Sequence, residues 1–172
     1  MIPVTELLFY CLPAVITGLI AYYFFNQFVR NENARRRFLL QREYSKDLVP
    51  IRLQAYERMV LFLERIDPSR LLLRVAPAED RKEAYEALLI RHIEEEYDHN
   101  ISQQIYISEE CWSVIRTAKN ATIQLIRKTG MSDKSLNAGK LRENILSEML
   151  DKTAPSAAAL SYIKKEVSDF LS

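Results

Sequence analysis

The 172 residues carry 24 Lys and Arg against 23 Asp and Glu, a formal net charge of +1, and 48% of them are hydrophobic. That balance lacks the basic excess of a nucleic-acid binder. Three glycines leave no GxGxxG or P-loop to cradle a phosphate, and two cysteines, Cys11 and Cys111, with no CxxC spacing exclude a zinc ribbon or a disulfide scaffold.

From the N-terminus, no charge stands between Glu6 and Arg30. A helix rises about 1.5 Å per residue, so roughly 20 apolar residues cross a hydrocarbon core. The run therefore predicts a transmembrane helix over 7–28, with 1–6 as an external N-terminus. Arg30, Arg35, Arg36, Arg37 and Arg42 follow the run and no Lys or Arg precedes it, which predicts a cytoplasmic C-terminal side. The bulky Tyr22, Tyr23, Phe24 and Phe25 stand where a signal peptide would be cleaved, so the segment reads as an uncleaved anchor in an inner membrane. The arginines read as membrane-surface residues that attract anionic headgroups, on a basic juxtamembrane stalk over 29–49.

The remaining residues, 50–172, show helical periodicity and no strand alternation. Pro50 either kinks the preceding helix or starts a new one, after which Ile51, Ala55, Met59, Phe62 and Ile66 form one stripe that Leu48 extends backward. Asp67-Pro68 stops that helix and a short turn follows at 69–74. Beyond Ala76-Pro77, Tyr85, Leu89, Ile93, Tyr97, Ile101 and Ile105 recur at steps of four, which forces a wrapping buried face unless the helix breaks near Asn100. Ser108 is a suitable N-cap for a helix to about Thr129, with Gly130 as terminator. Two shorter helices follow, one through Leu141, Ile145 and Met149 and one through Leu160, Ile163, Val167 and Phe170. The fold class is thus all-α: one N-terminal transmembrane helix and a cytoplasmic antiparallel bundle of four to five helices.

The segment most like a site is Arg91 to Asn100, which holds both histidines of the chain. His92 with Glu95 or Glu96, and His99 with Glu95 or Glu96, share helix faces at spacings of three and four. Glu-x-x-His is the ligand unit of carboxylate-bridged metal bundles, but those need two copies and further carboxylates, and Glu96-Tyr97-Asp98-His99 is the one copy here. His92, Glu95, Glu96 and His99 are therefore weak metal candidates. No cofactor, catalytic residue or small-molecule substrate is indicated.

Pro50-Ile51-Arg52-Leu53-Gln54-Ala55-Tyr56-Glu57-Arg58, the run Glu96 to Ser108, and Trp112, together with the N-terminal run, resemble an uncharacterised family of short single-pass inner-membrane proteins of Bacteroidota. The resemblance extends from the N-terminal run to about Ile126 and implies no chemistry. Within those strings, Arg52, Gln54 and Arg58 could form a polar seam against Glu94 to Glu96, and Asn100, Gln103 and Gln104 bring amides that need partners if buried. Arg52, Glu57, Arg58, Asn100, Gln103, Gln104 and Trp112 are the candidate interface.

These features together favour a membrane-anchored cytoplasmic interaction or scaffold module, an accessory subunit of a larger inner-membrane complex, and not an enzyme. Its partners would be the lipid bilayer and another membrane or cytoplasmic protein, or itself, with no nucleic acid. Two alternatives stand beside it. One is a metal-dependent helical-bundle enzyme using the His92–His99 segment. The other is a module contacting anionic lipid or nucleic acid through the juxtamembrane arginines.

Overall fold

The computed structural model describes the backbone of residues 4–171 and the side chains of 13, 15–33, 35–37, 48–150 and 152–171. Among the described residues the chain is all-helical. The elements are α1 (Val4–Ile66), α2 (Pro68–Arg74), α3 (Lys82–Asn100), a 3₁₀ helix (Ile101–Ile105), α4 (Glu109–Gly130), α5 (Ala138–Asp151) and α6 (Pro155–Leu171). The chain divides into two compact units, Met1–Val49 and Pro50–Ser172.

In the first unit, the described large side chains from Val15 to Phe28 stand exposed, Leu19 at 64% and Phe25 at 70% among them. No helix among the described residues is long and apolar enough to cross a membrane. This overturns the transmembrane helix expected at 7–28, and with it the single-pass inner-membrane placement, the external N-terminus and the cytoplasmic assignment of the rest. Among the described residues of the run, Thr17, Gly18, Tyr22, Tyr23, Asn26 and Gln27 interrupt the apolar sequence. The side chains of 7–12 and 14 lie outside the described residues. Helix α1 runs through Pro50, where a kink of the preceding helix or the start of a new one was expected; a proline removes one N–H donor without having to end a helix.

The second unit owes its boundaries to side-chain caps. Asp67 accepts a hydrogen bond from the Ser69 amide at 3.0 Å, with Pro68 in the first turn of α2. Ser108 accepts from the Cys111 amide at 3.1 Å to start α4, and Asn137 from the Lys140 amide at 2.9 Å to start α5. Gly130 does end α4, but with no left-handed backbone. A Cβ there would meet the end of the flexible Glu86 side chain, which can swing aside, and the Gly130 carbonyl accepts from Lys82 Nζ at 3.1 Å.

The core joins Ala55, Met59, Phe62, Leu63 and Ile66 of α1 to Leu89 and Ile93 of α3, Ile115 and Ile126 of α4, Leu141 and Ile145 of α5, and Ile163 of α6. At its centre Phe62, Tyr97 and Trp112 form an aromatic chain, with ring centroids 5.9 Å and 5.3 Å apart. The predicted stripe of α3 is buried only through Ile93, with Tyr97 half-buried. The helix stops at Asn100, whose side-chain amide turns back to the Glu96 carbonyl at 2.8 Å. Ile101 and Ile105 then sit on the 3₁₀ helix, 45% and 72% exposed, so the wrapping face is avoided by a change of helix type. Leu48 and Ile51 are likewise exposed, and the buried stripe of α1 begins at Ala55.

Truncating the central aromatic chain tests this packing. Phe62→Ala should lower unfolding stability by about 3–5 kcal/mol, read from the denaturant midpoint at unchanged slope.

Candidate interaction surface

Helices α1 and α6 of the second unit run antiparallel, as three contacts in register show. The Arg52 guanidinium lies 4.2 Å from the centre of the Phe170 ring, Tyr56 donates to Glu166 Oε1 at 2.6 Å, and Ser156 donates to Asp67 Oδ2 at 3.3 Å. The Glu166 carboxylate is the knot of this arrangement. Besides Tyr56 it accepts from the Ser108 hydroxyl at 2.9 Å and the Ser108 amide at 3.3 Å. Arg52 adds a bond to the Tyr106 carbonyl at 2.9 Å and one to the Tyr56 hydroxyl at 3.3 Å. One carboxylate thus binds α6 to α1 and to the N-terminus of α4.

The electrostatics follow from this geometry. Burial pushes the Glu166 pKa up, but the hydrogen bonds from Tyr56 and Ser108 outweigh it and hold the carboxyl below its ordinary value. The Tyr56 phenol is pushed up to about 12, by burial first and then by the bond to Glu166. Burial, with Glu166 adding to it, likewise pushes the Cys111 thiol up to about 12. Both groups therefore stay protonated at neutral pH. The Ser108 hydroxyl is committed to Glu166 and to the cap of α4, with no histidine in its hydrogen-bond set. The cluster fastens helices and lacks an activated nucleophile.

Beside this knot, α1 and α6 leave an open groove of about 760 Å³. Its floor is apolar, formed by Leu53, Tyr56, Val60, Leu61, Ile163 and Val167, and Glu57, Glu64, Arg70 and Lys164 line it as well. Leu61 is 57% exposed there, although it lies within a helix whose neighbours Phe62 and Leu63 are fully buried.

The candidate interface residues separate. Arg52 enters the Glu166 network and Glu57 the groove. Arg58 is exposed, and the polar seam expected between Arg52, Gln54 or Arg58 and Glu94 to Glu96 is replaced by Arg65–Glu96 at 2.9 Å and Lys119–Glu94 at 2.7 Å. That face of α3 meets α1 and α4 at those cations, and Lys119 also lies 4.2 Å from the Tyr97 ring centre. Asn100 is satisfied within its own helix end, Gln103 bonds only the Ser102 hydroxyl at 3.4 Å, and Gln104 is exposed. Trp112 is buried against Tyr97.

The metal candidates do not converge. His92 Nδ1 and Glu95 Oε2 stand 3.8 Å apart on the surface, Glu96 is held by Arg65, and His99 is exposed. Among the described residues no group of three or more His, Cys, Asp or Glu could hold a metal ion. Arg30, Arg35, Arg36 and Arg37 are exposed, with Arg36 3.3 Å from Glu32 one turn away, and the Arg42 side chain lies outside the described residues.

Residues 3–170 match the model of a family of unknown function, DUF7935. The chain belongs to this family. The match carries neither the Bacteroidota origin nor the membrane placement that the resemblance implied. No curated protein matches the chain. No solved structure matches it either. Sequence reasoning had missed Glu166 and the groove face of α6, although an acidic residue inside the apolar spacing Ile163, Val167 and Phe170 was a legible signal.

Two measurements check the network. In a Cys11→Ser background, Cys111 should resist thiol reagents at mildly alkaline pH until denaturant unfolds the chain. Because the Glu166 pKa is lowered on folding, its contribution to stability is present above the ordinary value of 4.5 and is lost as pH falls through the lowered one. Glu166→Gln should therefore be less stable at neutral pH and lose stability less steeply on acidification, as read from urea midpoints.

Proposed function

We propose that this protein is a helical interaction module that works by seating another polypeptide helix in the α1–α6 groove. The observation that supports it is the groove itself: an apolar floor with charges along it, and an exposed Leu61 among its lining residues. Apolar surface grouped and rimmed by charge in this way is characteristic of protein–protein contact. Burial and Glu166 hold the Tyr56 phenol and the Cys111 thiol protonated, and the polar residues of this neighbouring network tie together the helices that form the platform. An accessory or scaffold role within a larger assembly fits this reading.

The test is a comparison of complexes formed by the wild type and by Leu61→Glu. Leu61 is exposed, so the substitution should change folding stability by no more than about 0.5 kcal/mol while removing any stoichiometric complex seated in the groove. A complex that both proteins form equally, by mass in gentle purification, would overturn the reading.

A further inference from the structure

We propose that the helix pair seated in the groove is that of a second copy of this chain, an inference that rests on the interaction reading above. Glu64 is answered within its own chain by Arg70, 3.0 Å away. Glu57 on α1 and Lys164 on α6 are both exposed and have no ion-pair partner among the described residues. The register set by Arg52 with Phe170, Tyr56 with Glu166 and Asp67 with Ser156 puts Glu57 and Lys164 at nearly the same level along the two helices, on opposite sides of the floor.

Two antiparallel helices with an apolar groove between them are half of a four-helix arrangement. A second copy related by a two-fold axis running along the helices lays its α1 over this α6 and its α6 over this α1. Such an axis keeps every residue at its own level. Each Glu57 then meets the partner's Lys164, and the contact is made twice. Leu61, one turn beyond Glu57, enters the shared apolar centre. A foreign helix pair would have to bring a cation and a carboxylate at this one level; a second copy brings both, as an isologous interface requires.

The experiment uses the full chain with Cys11→Ser, so that buried Cys111 is the one native thiol. Glu57→Cys and Lys164→Cys chains are oxidised with copper phenanthroline, separately and as an equimolar mixture. The mixture should give several-fold more cross-linked pair than either variant alone, since an intramolecular bond between the two positions is impossible there. Separately, Glu57→Lys and Lys164→Glu should each weaken self-association roughly tenfold or more, and mixing these two variants should restore it, because both contacts become attractive again. No excess cross-linking in the mixture, with neither charge reversal altering self-association, would overturn the second copy as the occupant. In that event, a complex with a different protein that is lost in Leu61→Glu leaves the interaction reading standing, whereas no complex sensitive to Leu61→Glu removes both.

Discussion

A half-buried carboxylate costs free energy unless donors replace its water, and Glu166 finds its donors on two other elements. Tyr56 reaches it from α1, and the hydroxyl and amide of Ser108 reach it from the start of α4. The same Ser108 oxygen caps α4, so the placement of that helix and the charge on α6 are solved by one residue. Arg52 completes the arrangement by lying over Phe170 and bonding the Tyr106 carbonyl beyond the 3₁₀ helix. The register of α1 against α6 is therefore set at one end by these bonds and at the other by the Ser156 hydroxyl donating to Asp67. The open groove lies beside these ties.

The opposite side of α1 is governed by different physics. Phe62, Tyr97 and Trp112 build an aromatic chain through the core, and the acidic run of α3 is held at its edge by Arg65 and Lys119. Lys119 lies near the Tyr97 ring as well as bonding Glu94, so one cation answers both a π face and a carboxylate. The pairing of Glu96 with Arg65 takes that carboxylate away from His92 and His99, and a segment whose spacing suggested ligands becomes a charged flank of a packed helix. Helix spacing makes two groups neighbours, whereas a site needs groups from several helices to point at one place.

Much of the helical plan was legible because its signals are local. The Asp67 and Ser108 caps, the break at Ala76-Pro77, the end of α4 at Gly130 and the last two helices all follow from side chains acting within a few residues of themselves. A break near Asn100 was expected only as the alternative to a wrapping stripe, and the 3₁₀ helix that follows it was not expected, because steps of four in sequence do not say whether the backbone will keep its period. The N-terminal run was misjudged as a span. Its freedom from charge, its apolar residues and its length suggested a membrane helix, whereas no helix among the described residues is long and apolar enough to cross one.

By itself, then, the sequence determined that the chain is helical, where most of its helices begin and end, and which apolar residues can form a core, because propensity, capping and periodicity act over a turn or two. Only the tertiary structure decided that Glu166 meets Tyr56 and Ser108, that Arg65 and not Arg52 answers Glu96, and that Leu61 is left exposed beside the α1–α6 groove. Those contacts join residues dozens of positions apart. Their partners are selected by how whole helices pack, which no local pattern encodes.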